Sequence, residues 1–309
     1  MMAGTTKVME EAQMEDSAQQ IRPPRCVGVV GLGLIGGSFA KAYADAGMKV
    51  LAHDIDKGTL AAACGEGTVA APLTRENVGE CDAVIVALYP QDTVDWVTEH
   101  AELFGAETLV IDCGGVKRPI CEPLFEVAER AGFAFMGGHP MAGTHHSGFR
   151  YARSDLFAGQ PMVLVPPAIF SPEFIDRAKA VLDPAGFGSY AVTTPETHDR
   201  LIAYTSQLAH VVSSAFAKSP TALKHKGFSA GSYKDLTRVA ELNPDMWTEL
   251  FLDNADNLDI ELDRVIVELQ RYREAIDSGD REGLRRLLAE GSAAKLKADG
   301  RYADIQGLM

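Results

Sequence analysis

The pattern of hydrophobic and polar positions differs between the first two thirds and the last third of the chain. Up to residue 192, short runs of consecutive apolar residues alternate with stretches of helical periodicity. The runs that predict β-strands are 26–30, 49–52, 83–88, 108–111, 134–136, 162–165 and a weaker one at 188–192. Continuous apolar runs are typical of strands buried on both faces of a parallel sheet, with helices as crossovers. The pattern therefore predicts an α/β fold with a doubly wound parallel sheet of the Rossmann type.

After residue 194 the pattern predicts helices only, at 195–218, 234–242, 243–276 and 280–298. The long third helix carries an apolar seam formed by Leu258, Leu262, Val265, Leu269 and Tyr272. The alternating spacing of four and three residues along this seam is typical of coiled coils. The seam faces either the core of its own subunit or the partner in a homodimer, and the pattern fits both.

These patterns divide the 309 residues into a polar, disordered tail at 1–24, a Rossmann domain at 25–194 and an all-helical domain at 195–309. The tail lacks the apolar stretch of a signal peptide, and no run of about 18 apolar residues predicts a membrane span. The net charge of −14 argues against binding to nucleic acids or anionic membranes. The five cysteines form no C-x-x-C pair, which argues against zinc or disulfides and favours the cytoplasm.

A glycine-rich sequence, G-L-G-L-I-G at 31–36, joins the first predicted strand to a helix. The first glycine permits a tight turn, the second lets a pyrophosphate approach the backbone, and the third lets helix pack on strand. The helix N-terminus offers free N–H groups to the phosphates. The predicted cofactor-binding residues are Gly31, Gly33, Leu34, Ile35, Gly36 and Asp54.

Asp54 ends the second predicted strand, eighteen residues after the last glycine of the motif. A carboxylate at this spacing accepts hydrogen bonds from the adenosine ribose and repels a 2′-phosphate, which predicts NAD rather than NADP. The alternative is a carboxylate that only caps the end of a strand or helix.

Two groups of polar residues are candidates for catalysis and substrate binding. His139 follows the predicted strand 134–136 in a glycine-rich loop, where an imidazole with a pKa near neutrality suits a general base. On the first helix of the second domain, His198, Ser206 and His210 lie close to one face at 3.6 residues per turn. Arg238 offers a planar fork for a carboxylate. The alternatives are a loop histidine bonded to backbone carbonyls, a solvated helix face and a surface arginine.

These residues lie in sequences that resemble the prephenate/arogenate dehydrogenases from about residue 25 to about residue 269. The resemblance rests on V-V-G-L-G-L-I-G-G-S at 29–38, D-C-G-G-V-K at 112–117, G-H-P-M-A-G at 138–143, His198-Asp199 with Ser206 and His210, and D-L-T-R-V-A at 235–240 followed by Trp247. The first sequence is common to Rossmann proteins, whereas the others in this order and spacing are specific.

The resemblance implies a Rossmann domain followed by a helical dimerisation domain. It also implies an NAD-dependent enzyme that oxidatively decarboxylates prephenate, or its relative arogenate, on the route to tyrosine. In this family His139 would be the catalytic base, and His210 and Arg238 would hold substrate carboxylates. His198 and Ser206 would shape the site.

The sequence departs from the family pattern at two places. Gly115 stands where many members have Ser, and Gln207-Leu208-Ala209 where the helical motif is often His-Leu-Pro. Two rival functions remain open at this point: a β-hydroxyacid dehydrogenase, which would need a catalytic lysine in the helical domain, and an NAD-binding sensor without activity.

Overall fold

The structure is a computed structural model that describes residues 23–144 and 146–301. The predicted disordered tail lies outside the described residues, except for its last two positions. The chain forms two compact units, divided between Asp199 and Arg200.

The first unit contains an eight-stranded sheet. In chain order its strands are β1 (Cys26–Val30), β2 (Lys49–His53), β3 (Ala71–Pro72), β4 (Ala83–Val86), β5 (Leu109–Asp112), β6 (Ala134–Pro140), β7 (Pro161–Val165) and β8 (Ser189–Val192). Across the sheet they lie in the order β3-β2-β1-β4-β5-β6-β7-β8, and the pairs from β3 to β6 are parallel. The order reverses between β1 and β4, and ligands of open α/β sheets bind at the carboxyl ends of the strands beside such a point. The predicted doubly wound Rossmann-type sheet is confirmed.

One edge of the sheet differs from the predicted parallel arrangement, because β7 pairs with β6 in the antiparallel sense. A parallel neighbour would need a crossover, usually through a helix. The described residues between β6 and β7 contain only the 3₁₀ turn Phe149–Tyr151. An apolar run indicates burial on both faces of a strand but carries no information about its direction, so the sequence pattern could not reveal this reversal.

Helices cover both faces of the sheet. They are α1 (Leu34–Asp45), α2 (Lys57–Gly65), α3 (Pro90–His100), α4 (Arg118–Ala131) and α5 (Pro172–Leu182). Alternate residues of β1 belong to different cores: Val27 and Val29 pack with Phe39 of α1, while Val30 packs with Leu124 of α4. Each large apolar side chain buried in this way contributes about 1.5–3 kcal/mol.

Helices also form the second unit, which the chain enters within α6. In order they are α6 (Pro195–Ile202), a π-helical segment (Ala203–Leu208), α7 (Ala209–Ala217), α8 (Gly231–Thr237), α9 (Pro244–Leu252), α10 (Ala255–Asp277) and α11 (Arg281–Ala298). The predicted helix 195–218 is therefore interrupted by a π-helix, whose wider turns do not follow the spacing of 3.6 residues. The predicted helix 234–242 begins and ends earlier, as α8.

The long helix predicted at 243–276 is two helices, α9 and α10, so this prediction was wrong. Its start is as expected, with Pro244 in the first turn and the Asn243 side chain accepting from two backbone N–H groups. The break lies before α10, where the buried Asn254 has φ −128° and ψ 27°. The Asn254 side-chain amide donates to Oε1 of Gln207 at 2.8 Å, and this tertiary contact favours the break over a continuous helix.

Within residues 23–144 and 146–301, no helix has the length and apolar character needed to cross a membrane.

Candidate active site

The glycine-rich turn between β1 and α1 has the geometry of a phosphate-binding loop. Gly31 has φ +84°, and a Cβ at this position would lie 2.5 Å from the Ala87 carbonyl oxygen. A Cβ at Gly36 would lie 1.8 Å from the Gly31 carbonyl oxygen, so side chains are excluded at both positions. A Cβ at Gly33, in contrast, would have no atom within 4 Å. Gly33 precedes α1 and no side chain caps this helix end, which leaves an open, electropositive N-terminus.

Asp54 follows β2 and holds the glycine-rich turn in place. Its Oδ2 accepts from the Leu32 N–H at 2.6 Å, and its Oδ1 accepts from the Asp56 N–H at 2.8 Å. Asp54 therefore has the structural function that the sequence analysis gave as the alternative, that of a carboxylate at the end of a strand. Each oxygen accepts one of these bonds and retains a further lone pair, so binding of a ribose stays a prediction.

His139 lies within β6 rather than in the loop that the sequence predicted after residue 136. Its register partner is Val163 of β7. The preceding glycines serve packing within the protein: a Cβ at Gly138 would lie 2.4 Å from the Asp112 carbonyl oxygen, and one at Gly137 would lie 2.4 Å from Cys121 Sγ. The extended backbone of a strand therefore fixes the position of the candidate base.

A buried ion pair supports β6 just before His139. Asp112 at the end of β5 and Lys117 are both fully buried, and Lys117 Nζ is bonded to Asp112 Oδ1. Lys117 Nζ also donates to the Gly138 carbonyl oxygen at 2.6 Å, and the Gly138 N–H donates to Asp112 Oδ2 at 3.0 Å. The Lys117 ammonium group is therefore bonded to partners within the protein, Asp112 and the Gly138 carbonyl oxygen. The sequence motif at 112–117 contained both residues, but nothing in it indicated that their side chains meet.

His139, His198 and Asp199 form a hydrogen-bonded series that we call the histidine chain. His139 Nδ1 lies 2.9 Å from His198 Nε2, and His198 Nδ1 lies 2.7 Å from Asp199 Oδ1. His198 and Asp199 are buried, whereas His139 is partly exposed. The structure thus brings together two of the predicted histidines and adds Asp199, to which the sequence had given no role of its own.

The Asp199 carboxylate is anchored at the N-terminus of α4. Its Oδ1 accepts from the Lys117 N–H at 2.7 Å, and its Oδ2 accepts from the N–H and Nε of Arg118 at 2.9 and 3.3 Å. Burial raises the pKa of this carboxyl, but the hydrogen bonds from His198 and the two backbone N–H groups more than compensate, so its pKa is lowered. Asp199 is therefore ionised at neutral pH.

Burial also affects the two histidines of the chain. It holds the pKa of His139 well below 6.5, and the neighbouring positive charges that His198 and Lys117 can carry lower it further. Burial lowers the pKa of His198 as well, although its hydrogen bond to Asp199 acts in the opposite direction. Both rings are neutral near pH 7, as a general base requires.

The remaining predicted residues lie in the second unit. His210 Nδ1 donates to the Val239 carbonyl oxygen at 2.9 Å, and its ring centroid lies 3.9 Å from that of Trp247. Burial lowers the pKa of His210, the bond to Val239 raises it, and Arg238 lowers it. Arg238 is exposed at the end of α8, and Ser206 is partly exposed in the π-helical segment.

The two departures from the family pattern have different surroundings. Gln207 is buried and donates from its amide to the Leu250 carbonyl oxygen at 2.7 Å, so it stabilises the helical unit. The partly exposed Gly115 follows Gly114, whose N–H is already bonded to Asp112 Oδ1 at 2.9 Å.

Two family models match the chain over most of its length. The nucleotide-binding domain of prephenate dehydrogenase matches residues 39–190, and the dimerization domain of prephenate dehydrogenase matches residues 194–290. The chain belongs to the prephenate/arogenate dehydrogenase family. The first range contains His139, and the second contains His198, Ser206, His210 and Arg238.

Individual members of the family are similar over nearly the whole chain. Prephenate dehydrogenase of Bacillus subtilis is 29% identical over 84% of this chain and 72% of its own length. The crystal structure of prephenate dehydrogenase from A. aeolicus, in complex with hydroxyphenyl propionate and NAD+, has a TM-score of 0.75 at 26% identity and covers 89% of this chain and 98% of its own. Synechocystis arogenate dehydrogenase has a TM-score of 0.73 at 27% identity, covering 88% and 99%. The prediction of a dehydrogenase with a nucleotide-binding domain is confirmed.

Proposed function

We propose that this protein is a cytoplasmic prephenate dehydrogenase, which converts prephenate and NAD to 4-hydroxyphenylpyruvate, CO2 and NADH in tyrosine biosynthesis. The observation that carries the proposal is the histidine chain, which ends at a partly exposed imidazole on β6 in a member of this family. A neutral imidazole at the carboxyl side of a Rossmann sheet is suited to remove a proton from a hydroxyl group of a substrate.

In the proposed reaction His139 accepts the proton of the ring hydroxyl of prephenate. The glycine-rich turn at Gly31–Gly36 would hold NAD, which would supply the acceptor for the hydride that leaves the same ring carbon. The bond between the ring and its carboxylate then breaks, CO2 leaves, and the electron pair of that bond completes the aromatic ring of the product. Because aromatisation drives the reaction, the protein needs to supply only a base, orientation and carboxylate binding.

The residues of the glycine-rich turn fit the proposed cofactor. The open position at Gly33 and the uncapped N-terminus of α1, which begins with Leu34 and Ile35, would hold the pyrophosphate. Asp54 would accept hydrogen bonds from the ribose and discriminate against NADP.

Substrate carboxylates are proposed to bind in the second unit. Arg238 is exposed at the end of α8. In a protein with a net charge of −14, an arginine that is always ionised offers a fixed attraction for a dianionic substrate. His210, packed on Trp247, and Ser206 would complete this site.

A homodimer is proposed through the helical unit. Helix α10 exposes apolar side chains that are between 48% and 63% accessible, namely Ile260, Ile266, Val267, Leu269 and Ile276. Of the predicted seam, Leu258 is buried within the unit and Leu269 is exposed, so the seam divides between the core and the surface. A surface helix with this much exposed apolar area favours association with a second copy.

Arogenate is the alternative substrate, because a structurally similar protein is named arogenate dehydrogenase. The deciding experiment is to measure kcat/KM for prephenate and arogenate, each with NAD and NADP, from the appearance of the reduced cofactor. We expect prephenate with NAD to be the best combination. A sensor would reduce no cofactor with either substrate, and a hydroxyacid dehydrogenase would respond only to its own substrates. The His139→Asn variant serves as the control for contaminating activity.

A further inference from the structure

The histidine chain determines which nitrogen of His139 carries its proton. Asp199 lies at one end of this chain, and its two oxygens accept hydrogen bonds from the N–H groups of Lys117 and Arg118 and from Arg118 Nε. An ionised carboxylate can only accept, so His198 Nδ1, which lies 2.7 Å from Oδ1, must be the donor of that bond.

The position of the proton on His198 determines the position of the proton on His139. A neutral His198 that is protonated at Nδ1 has a lone pair at Nε2, and this atom faces His139 Nδ1 at 2.9 Å. His139 Nδ1 must then be the donor of that bond. The neutral His139 ring is left with an unprotonated Nε2, which is the atom that a general base needs.

We infer that Asp199, acting through His198, is a positioning residue that keeps His139 in the tautomer with Nδ1 protonated and Nε2 available as the base. The inference rests on the proposed function for its effect on catalysis, but the tautomer itself is a property of the free protein. A carboxylate behind a catalytic histidine can fix tautomer and orientation without accepting the proton itself.

The same arrangement accommodates the proton taken from the substrate. When the hydroxyl proton binds His139 Nε2, the Nδ1 proton can pass to His198 Nε2, where the resulting imidazolium lies next to the Asp199 carboxylate. One O–H bond and the His139 Nδ1–H bond break, and the two new N–H bonds are at His139 Nε2 and His198 Nε2. The positive charge then lies beside the Asp199 carboxylate instead of on the His139 ring, which has no carboxylate among its hydrogen-bond partners in the histidine chain.

Asp199→Asn tests the inference, because a side-chain amide can donate to His198 Nδ1. A donated hydrogen bond would reverse the chain: His198 would carry its proton on Nε2 and donate to His139 Nδ1, and the His139 proton would move to Nε2. We expect kcat to fall by about 100-fold or more, the contribution of a general base. The Kd for NAD should change by less than about threefold, since Asp199 is not among the proposed cofactor residues.

The discriminating readout is the tautomer, measured by ¹⁵N NMR of histidine-labelled protein without substrate. The His139 signals are assigned by their loss in His139→Asn. The wild type should show Nδ1–H at His139, and Asp199→Asn should show Nε2–H. A wild-type His139 protonated at Nε2, or an Asp199→Asn variant with an unchanged tautomer, would overturn the inference whether or not the protein oxidises prephenate.

A pair of substitutions at His198 separates this role from a structural one. The Gln side chain of His198→Gln presents an amide oxygen near the position of the ring Nε2, and this oxygen can accept from His139 Nδ1 without help from Asp199. His198→Phe keeps a ring but has no acceptor. We expect His198→Gln to retain at least about tenfold more kcat than His198→Phe. Addition of His198→Gln to Asp199→Asn should recover part of the lost kcat. Equal losses in the two His198 variants, with no recovery in the double variant, would contradict the inference and indicate a packing role.

Discussion

Replacement of Lys117 by Met should destabilise the nucleotide-binding unit more than almost any surface change. Lys117 and Asp112 are both fully inaccessible to solvent, and Lys117 Nζ also bonds the Gly138 carbonyl oxygen. Met has a similar shape but cannot donate, so the buried Asp112 carboxyl group would retain, among the described residues, only backbone N–H groups, those of Gly114 and Gly138, as partners. Loss of one partner from a buried ion pair costs about 3–5 kcal/mol, a large part of a typical stability of about 5–15 kcal/mol.

Lys49 provides a matched control for this substitution. It pairs with Glu80 at 3.0 Å, but the two side chains are 50% and 58% exposed. Solvent screens exposed pairs of this kind, so they contribute little, and Lys49→Met should change the free energy of unfolding far less than Lys117→Met does. Both variants replace Lys by Met, so the difference between them reports the burial of the Lys117 pair together with its additional bond to the Gly138 carbonyl oxygen.

The assay is urea denaturation followed by tryptophan fluorescence. The chain has two tryptophans, Trp96 in the first unit and Trp247 in the second. In a Trp247→Phe background the signal comes from Trp96 alone and reports unfolding of the nucleotide-binding unit. The double variant Lys117→Met, Asp112→Asn should be more stable than Lys117→Met alone, because it removes the uncompensated charge. If Lys117→Met and Lys49→Met have the same free energy of unfolding, the reasoning about the buried pair is wrong.

Four further outcomes are expected. His139→Asn should retain the affinity for NAD, and its kcat should be about 100-fold or more below that of the wild type. A nearly normal kcat at neutral pH would show that His139 is not the base. The pKa of His139 lies well below 6.5, so its neutral form persists as the pH falls through 6.5. The wild-type kcat/KM should therefore begin to fall only below pH 6.5. A fall that begins at or above pH 6.5 would contradict the lowered pKa of His139. Asp54→Ser should reduce the preference for NAD over NADP. If the wild type uses both cofactors equally well, the proposed role of Asp54 in discriminating between them is refuted. Arg238→Gln should raise KM for prephenate by about ten- to a hundredfold with little change in the Kd for NAD, and Arg238→Lys should rescue it partly; an unchanged KM would exclude Arg238 from the site.

Some features could be predicted from the sequence because they depend on residues close together in the chain. The turn at Gly31 and Gly36 is one, since Gly31 has φ +84° and a Cβ at Gly36 would collide with the Gly31 carbonyl oxygen, only five residues earlier in the chain. The start of α9 at Asn243-Pro244 is another, since a helix cap involves only neighbouring residues. The apolar runs likewise indicated the central strands, because burial on both faces selects apolar residues at every position.

Other features depend on contacts between residues far apart in the chain, and the sequence pattern could not contain them. The direction of β7, the break before α10 and the position of His139 within a strand are decided by packing and by hydrogen bonds such as that from Asn254 to Gln207. Asp199 is the clearest case: its sequence neighbour His198 was a candidate from the start. The Asp199 carboxylate accepts hydrogen bonds from the N-terminus of α4, 81 and 82 residues away, and thereby orients two histidines. Only the folded structure reveals these contacts. The sequence alone therefore determined the fold class and which chemical groups are available. The tertiary structure decided which of those groups meet, because hydrogen bonds depend on distances and directions in space that separation along the chain does not define.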